Sequence, residues 1–174
     1  MMDIIQNSIR AGATQIGIEI EEDTRQNCYR MVFTDNGTGM SEEVLANVAD
    51  PFYTTRETRK VGMGLSLLKQ NAERTGGGLE IESLQGKGTR VSALFTHDHL
   101  DRPEAGDLAG SSVLMMMTNP QIGFVFSYCH NGLSFSISTA EIKEALGDVP
   151  ISDPGVYQML VELINENIRN IRKN

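Results

Sequence analysis

The chain has 174 residues, 40% of them hydrophobic, with 17 glycines and a net charge of −8 from 23 acidic and 15 basic side chains. This suits one domain, or a domain with a smaller appendage, that buries its own core; it excludes disorder, and the acidic balance argues against a nucleic-acid partner, whose phosphates require a basic face. No apolar run approaches the roughly 18 residues of a membrane span, and Met1-Met2-Asp3 lacks the basic and apolar regions of a signal peptide, so no membrane partner and a cytoplasmic location are expected.

Ile4, Ile5, Ser8 and Ile9 form a helical stripe that predicts an opening helix, stopped at Gly12. Ile16, Ile18 and Ile20 alternate with polar residues, as do Tyr29, Met31 and Phe33 after the polar stretch 22–27, which predicts a hairpin with one buried face. Ser41, followed by Glu42 and Glu43, caps a short helix carrying Val44, Leu45 and Val48, which Pro51 stops. Another helix is predicted over 62–75, with Leu65, Leu68 and Ala72 on one side and Gly76-Gly77-Gly78 at its end. A second hairpin follows, with strands over 79–83 and 89–95 around Gly86-Lys87-Gly88. This order suits an α+β two-layer sandwich, with helices on one face of a mixed sheet, ending near Asp98.

The rest reads as a helix over 105–118, a hairpin over 123–128 and 133–138 turning at Asn131-Gly132, and two helices. Asp153 caps the last one, Pro154 takes its first turn, and Val156, Met159, Leu160, Leu163, Ile164, Ile168 and Ile171 repeat at helical spacing. Because Leu160, Leu163, Ile164 and Ile168 need burial, residues 99–174 are expected to form an α/β extension packed on a first domain of residues 1–98. Each part carries a net charge of −4, so neither is a basic arm or an acidic tail. Cys28 and Cys129 lie far apart without metal-ligand spacing and are expected to be reduced and structural.

Four motifs in the first part bear chemistry. Asp3 and Asn7 emerge on one helix face; an amide oxygen is a hard ligand suited to Mg²⁺, and a carboxylate can take a proton from water, although a polar pair is also what a solvated helix face carries. Asp35-Asn36-Gly37-Thr38-Gly39-Met40 stands where a strand ends: its glycines allow close approach to a flat ligand, and Asp35 can accept from an exocyclic amine. Gly62-Met63-Gly64-Leu65-Ser66 opens a helix, where backbone N–H groups suit phosphate. Between them, residues 52–61 have no core periodicity and read as a movable lid in which hydroxyls, Arg56, Arg59 and Lys60 could meet phosphates.

In order and spacing the four motifs together resemble the GHKL superfamily of ATPases, named for gyrase, heat-shock chaperone, histidine kinase and mismatch-repair protein. The resemblance covers about residues 1–97 and implies the Bergerat fold, ATP and Mg²⁺ as cofactors, and a histidine-kinase-like domain over 1–98. Residues 3–13 look like the N box, which carries the Mg²⁺ ligand role onto Asn7. Asp35, Gly37 and Gly39 match the first glycine box, whose Asp binds the adenine amino group. Phe52, Thr54 and Thr55 resemble the phenylalanine box of histidine kinases. Gly62, Gly64 and Leu65 match the second glycine box beside the phosphates, and Thr89 fits the threonine near the adenine. Gyrase- and mismatch-repair-type members carry Glu as general base four positions before the Mg²⁺ Asn, whereas Asp3 stands there in this chain. The family's opening helix also starts after more preceding chain, so a truncated N-terminus is expected.

The implied function is phosphate transfer to, or regulation of, a partner protein in bacterial-type signalling. The alternatives are an anti-sigma-like regulatory serine kinase and a slow ATPase whose nucleotide state drives dimerisation. His97, His99 and His130 do not lie on a helix pair suited to presenting a phosphorylated histidine, so the acceptor is expected on another protein.

Overall fold

The computed structural model describes residues 1–50 and 63–173. Helix α1 (Met2–Arg10) buries Ile4, Ile5 and Ser8, and the chain then turns at Gly12, at φ +72. Strands β1 (Gln15–Asp23) and β2 (Cys28–Asp35) make the first hairpin. Helix α2 (Glu42–Asn47) starts at Ser41, whose hydroxyl accepts from the Val44 N–H. Helix α3 (Met63–Arg74) leads into the hairpin of β3 (Gly78–Leu84) and β4 (Gly88–Thr96). Helix α4 (Leu108–Thr118), strands β5 (Gly123–His130) and β6 (Leu133–Ser138), and helices α5 (Thr139–Leu146) and α6 (Pro154–Lys173) complete the order. The β5–β6 turn has positive φ at both Asn131 and Gly132, the backbone a two-residue hairpin requires. Among the described residues, no helix is long and apolar enough to cross a membrane.

The fold is α+β, built on one six-stranded mixed sheet in the order β3-β4-β2-β1-β5-β6. All neighbours are antiparallel except β1 and β5, which run parallel. Alternation decides which side is buried: Ile16, Ile18 and Ile20 share a face with Phe33, Val91, Phe124 and Phe126, and helices α1, α3, α4 and α6 close over that layer. The opposite face carries Glu19, Glu21, Arg30, Glu80, Glu82 and Arg90 on the alternate positions.

Three expectations are corrected. Glu22 and Asp23 belong to β1 and not to a loop; Glu22 pairs with Tyr29 and is buried because its charge is met by partners distant in sequence. The helix expected over 105–118 starts at Leu108, since Gly106 adopts φ +66 and the Asp107 carboxylate caps by accepting from the Gly110 N–H at 2.8 Å. Along α6 the buried line is narrower than the apolar stripe: Val156, Leu160, Ile164 and Ile168 are buried, but Met159 is 50% and Leu163 41% exposed. That helix packs on α4 and on the two strands at the sheet's margin, and these neighbours cover a line of residues four apart but not the Met159 and Leu163 flank.

The partners of Glu22 lie at the end of the sheet away from Asp35. Arg172 on α6 donates through Nε to Glu22 Oε2 (3.2 Å) and to the Tyr128 hydroxyl (2.6 Å), and its Nη2 bonds Glu22 Oε1. His130 Nδ1 stands 3.4 Å from Glu22 Oε2. Asn131 Oδ1 accepts from the Thr24 N–H and hydroxyl, so its amide donates to His130 Nε2 at 3.1 Å; the imidazole proton is thereby assigned to Nδ1, facing Glu22. Burial pushes the Glu22 carboxyl up, but Arg172, Tyr128 and His97 outweigh it and the net shift is downward. Burial first, then Glu22, pushes the Tyr29 hydroxyl up to about 12, against the pull of Arg102, whose guanidinium lies 4.8 Å above its ring.

Candidate functional site

At the other end of the sheet, strand register assembles a row of polar side chains. Asp35 on β2 is the cross-strand partner of Thr89 on β4, which pairs with Ser83 on β3. The Ser83 hydroxyl accepts from the Met40 N–H (2.9 Å), donates to the Gly88 carbonyl (3.0 Å) and lies 2.9 Å from Thr89 Oγ1. One hydroxyl thus ties the loop after β2 to the β3–β4 turn. Gly39 sits in that loop at φ +64, where a Cβ would collide with the Leu84 carbonyl oxygen; both requirements leave only glycine.

The Asp35 carboxylate is held at both oxygens. Oδ1 accepts from the Gly37 N–H at 2.9 Å and Oδ2 from the Ser8 hydroxyl at 2.6 Å, and each retains a lone pair. Ser8 belongs to α1, so this bond joins the N box to the first glycine box. The joint is reinforced by the Thr38 N–H donating to the Ala11 carbonyl (2.8 Å) and by Asn36 Oδ1 accepting from the Thr14 and Gln15 N–H groups. A Cβ on Gly37 would come within 2.8 Å of the Ala11 carbonyl oxygen, which explains a residue without one.

Helix α1 also meets the second glycine box. A Cβ on Gly64 would lie 2.9 Å from the Asp3 Cβ, so the absence of a side chain lets α3 start directly against Asp3. Asn7 stands one turn further along α1, half-buried, with Arg10 Nη1 3.5 Å from its Oδ1. Leu65 is buried in the core and anchors the first turn of α3. The structure therefore gathers Asp35, Gly37, Gly39 and Thr89 at one sheet end and brings Asp3 and Gly64 together beside it, with α1 linking the two groups. Phe52, Thr54, Thr55, Gly62 and the expected lid over 52–61 lie outside the described residues.

Ser8, Asn36 and Ser83 join the site although none is among the candidate residues of the motifs. Ser8 had a signal, a lone hydroxyl four residues after Ile4 in an apolar stripe. Ser83 had none, because its role depends on the β3–β4 register.

The donor chemistry fits a hard cation held in company with phosphate. Asn7 and Asp3 offer oxygens, while among the described residues no group of three or more His, Cys, Asp or Glu could hold a metal ion alone. Mg²⁺ usually takes one or two protein oxygens and fills its octahedron with water and phosphate, so a sparse set suits it.

Residues 1–99 match the family described as histidine kinase-, DNA gyrase B- and HSP90-like ATPase. The sensor kinase CckA of Brucella abortus is 29% identical over 151 residues, covering 72% of this chain and 16% of that protein. The sensor histidine kinase ZraS of Salmonella typhimurium is 28% identical over 97 residues, covering 55% of this chain and 20% of that protein. This chain thus spans a fifth or less of the length of these relatives. Among solved structures, the N-terminal domain of a DNA repair protein superposes with a TM-score of 0.54 at 17% identity, over 78% of this chain and 49% of that one, a likeness of fold alone. With more than half of its length matched, and with the glycine boxes docked on the opening helix, the chain belongs to the histidine kinase-, DNA gyrase B- and HSP90-like ATPase family.

Proposed function

We propose that this chain binds Mg-ATP and is the nucleotide-holding part of a histidine-kinase-like phosphotransferase that passes phosphate to a partner protein. The observation that carries the reading is the Asp35 carboxylate, fixed by Ser8 and Gly37 opposite Thr89 and still able to accept from the exocyclic amine of adenine. Asn7 would hold Mg²⁺ through its amide oxygen, and the ion would supply neutralisation of phosphate charge. The N-terminus of α3 would face phosphate oxygens, whose negative charge its dipole favours. Gly37, Gly39 and Gly64 let the segments around the site pack closely on one another.

Asp3 bears on the fate of the phosphate. Aspartate is one methylene shorter than the glutamate that other branches place here, so its carboxylate falls roughly 1 Å short of a water positioned for glutamate, an error that can cost about a hundredfold. Slow hydrolysis would keep the phosphate for a partner, and the likeness to sensor kinases supports a protein acceptor. The test is label transfer from γ-³²P-ATP to a co-purifying protein. Labelling of that protein, lost in Asp35→Asn, is the expected result; release of all label as inorganic phosphate in multiple rapid turnovers would overturn the reading.

A further inference from the structure

The two margins of the sheet differ. On β3, Glu80 and Glu82 stand on the open face, and pairing that edge with a copy of itself would crowd carboxylates. The other margin, β6, reads Leu-Ser-Phe-Ser-Ile-Ser, with neither charge nor proline to discourage pairing.

Backbone parity along β5 shows which groups of β6 face outward. The Gly123 and Asn131 N–H groups donate toward β1, to Thr14 and Glu22, so odd residues of β5 face β1 and even residues face β6; the Phe124 N–H accordingly reaches Thr139 Oγ1. In the β5–β6 register, Leu133, Phe135 and Ile137 pair with the even residues His130, Tyr128 and Phe126 and direct their N–H and C=O groups inward. Ser134, Ser136 and Ser138 therefore direct theirs outward, which the Ser138 N–H confirms by donating to the capping Glu141 carboxylate. Ser134 and Ser136 keep outward backbone groups and are exposed.

From this edge we infer that β6 pairs antiparallel with β6 of a second copy of this chain, about a two-fold axis at Phe135. In that register Ser134 faces the partner's Ser136 and each pair exchanges two hydrogen bonds, leaving the Ser138 cap intact. Phe135 meets its own copy and Leu133 meets Ile137 across the axis, on the helix-covered face. The adjoining flank of α6 adds to this surface. Arg172 reaches inward to β1 from one flank of that helix; Met159 and Leu163, thirteen and nine residues earlier, lie by helical spacing on the opposite flank, and α6 also packs on β6. Leu133 on the strand itself is 45% exposed, and Met159 and Leu163 on α6 are exposed as well. Self-complementarity of the strand about this axis points to a copy. Despite the net charge of −8 on each chain, this strand brings no charged side chain to the axis, and its serine and apolar rows each meet their own kind.

The experiment is sedimentation velocity of the full chain over a concentration series without nucleotide, so that its outcome does not depend on ATP binding. The parent is expected to shift from monomer to dimer as concentration rises. Ser134→Lys with Ser136→Lys alters only exposed side chains but sets like charges opposite each other, and should weaken the dimer roughly tenfold or more. The same should hold for Ser134→Glu with Ser136→Glu. An equimolar mixture of the two charged forms should restore dimers, since lysine then faces glutamate at both pairs. Unchanged circular dichroism of each variant establishes that the fold is kept. A parent that is monomeric throughout, or a dimer that neither charged form weakens and their mixture does not restore, would overturn the inference.

Discussion

At one end of the sheet Asp35, Thr89 and Ser83 stand in a row on three strands, half-buried and tied by hydrogen bonds to glycine-bearing loops. At the other, Glu22, His130 and Tyr128 are shut beneath the C-terminal turn of α6, with a guanidinium among them. Both are clusters of polar groups at strand ends, yet the first leaves acceptor capacity facing outward, whereas in the second the Glu22 carboxylate is taken up by Arg172, and His130 Nδ1 is buried without a hydrogen-bond partner among the described residues. The comparison shows why a carboxylate at a strand end is not by itself a site. Asp35 is held by neutral donors that fix its direction without neutralising it, whereas Glu22 is neutralised by a cation of its own chain.

The most forceful way to break this contrast is to remove the part of the chain that closes the far end. A chain ending at Asp98 lacks β5, with Phe124, Phe126 and Tyr128 fully buried beside β1. Each such ring contributes about 1.5–3 kcal/mol, and three together approach the whole stability of a typical domain. No cooperative thermal transition is expected; a melt as sharp and as high as that of the full chain would make residues 99–174 an independent appendage.

A narrower cut is Glu22→Ala, which leaves Arg172 and Tyr128 facing an empty position. Removing one member of a buried pair costs about 3–5 kcal/mol, and with Arg172 half exposed about 2 kcal/mol is expected, read as a lower Tm with ATP affinity unchanged. The acid limb sharpens the point. The Glu22 carboxyl is lowered in the fold, so its contribution is fully present above the ordinary value of 4.5 and is lost as pH falls through the lower folded value. Between the parent and Glu22→Gln, the stability difference should therefore shrink with acidification below about pH 4.5; a constant difference would mean that packing, not charge, holds that end together.

At the open end, Asp35→Asn should reduce ATP affinity by about 1.5–3 kcal/mol, the scale of a charge-assisted hydrogen bond, with a smaller change in Tm. Equal calorimetric affinity for parent and variant would take Asp35 out of the site. At Asp3 the expected effect is on a rate, not on stability or affinity. In single-turnover hydrolysis at saturating Mg-ATP, Asp3→Glu should raise the rate and Asp3→Ala lower it; if alanine is as fast as the parent and glutamate brings no gain, Asp3 is only a helix-capping residue.

Much of the open end was legible in the sequence. Its residues lie in short motifs of local geometry, such as a strand end followed by Gly37 and Gly39 or glycines at the start of α3, and alternation placed Asp35 at the end of a buried strand. The far end was not, because Glu22 reads as a loop residue until Arg172, 150 positions away, is known to sit against it. Alternation likewise shows which face of β1 and β5 is buried but not that they are neighbours. Periodicity along α6 marked Leu163 for the core, since the pattern fixes the direction of a stripe but not how much of its width a neighbour covers.

The parallel pairing of β1 with β5 also sets a clock on folding. Strand β1 is made early, yet one of its edges stays unpaired until the ribosome has added residues 123–130, and the Glu22–Arg172 bond waits for α6. At roughly 5–20 residues per second the nascent first hairpin spends several seconds with the Ile16, Ile18 and Ile20 row incompletely covered. Contacts of such long sequence separation also slow the closing step itself. Newly made chains should therefore pass through a stage that chaperones bind and that aggregates when they are scarce, and variants that delay α4 or β5 should lower soluble yield even where the finished fold is as stable as the parent.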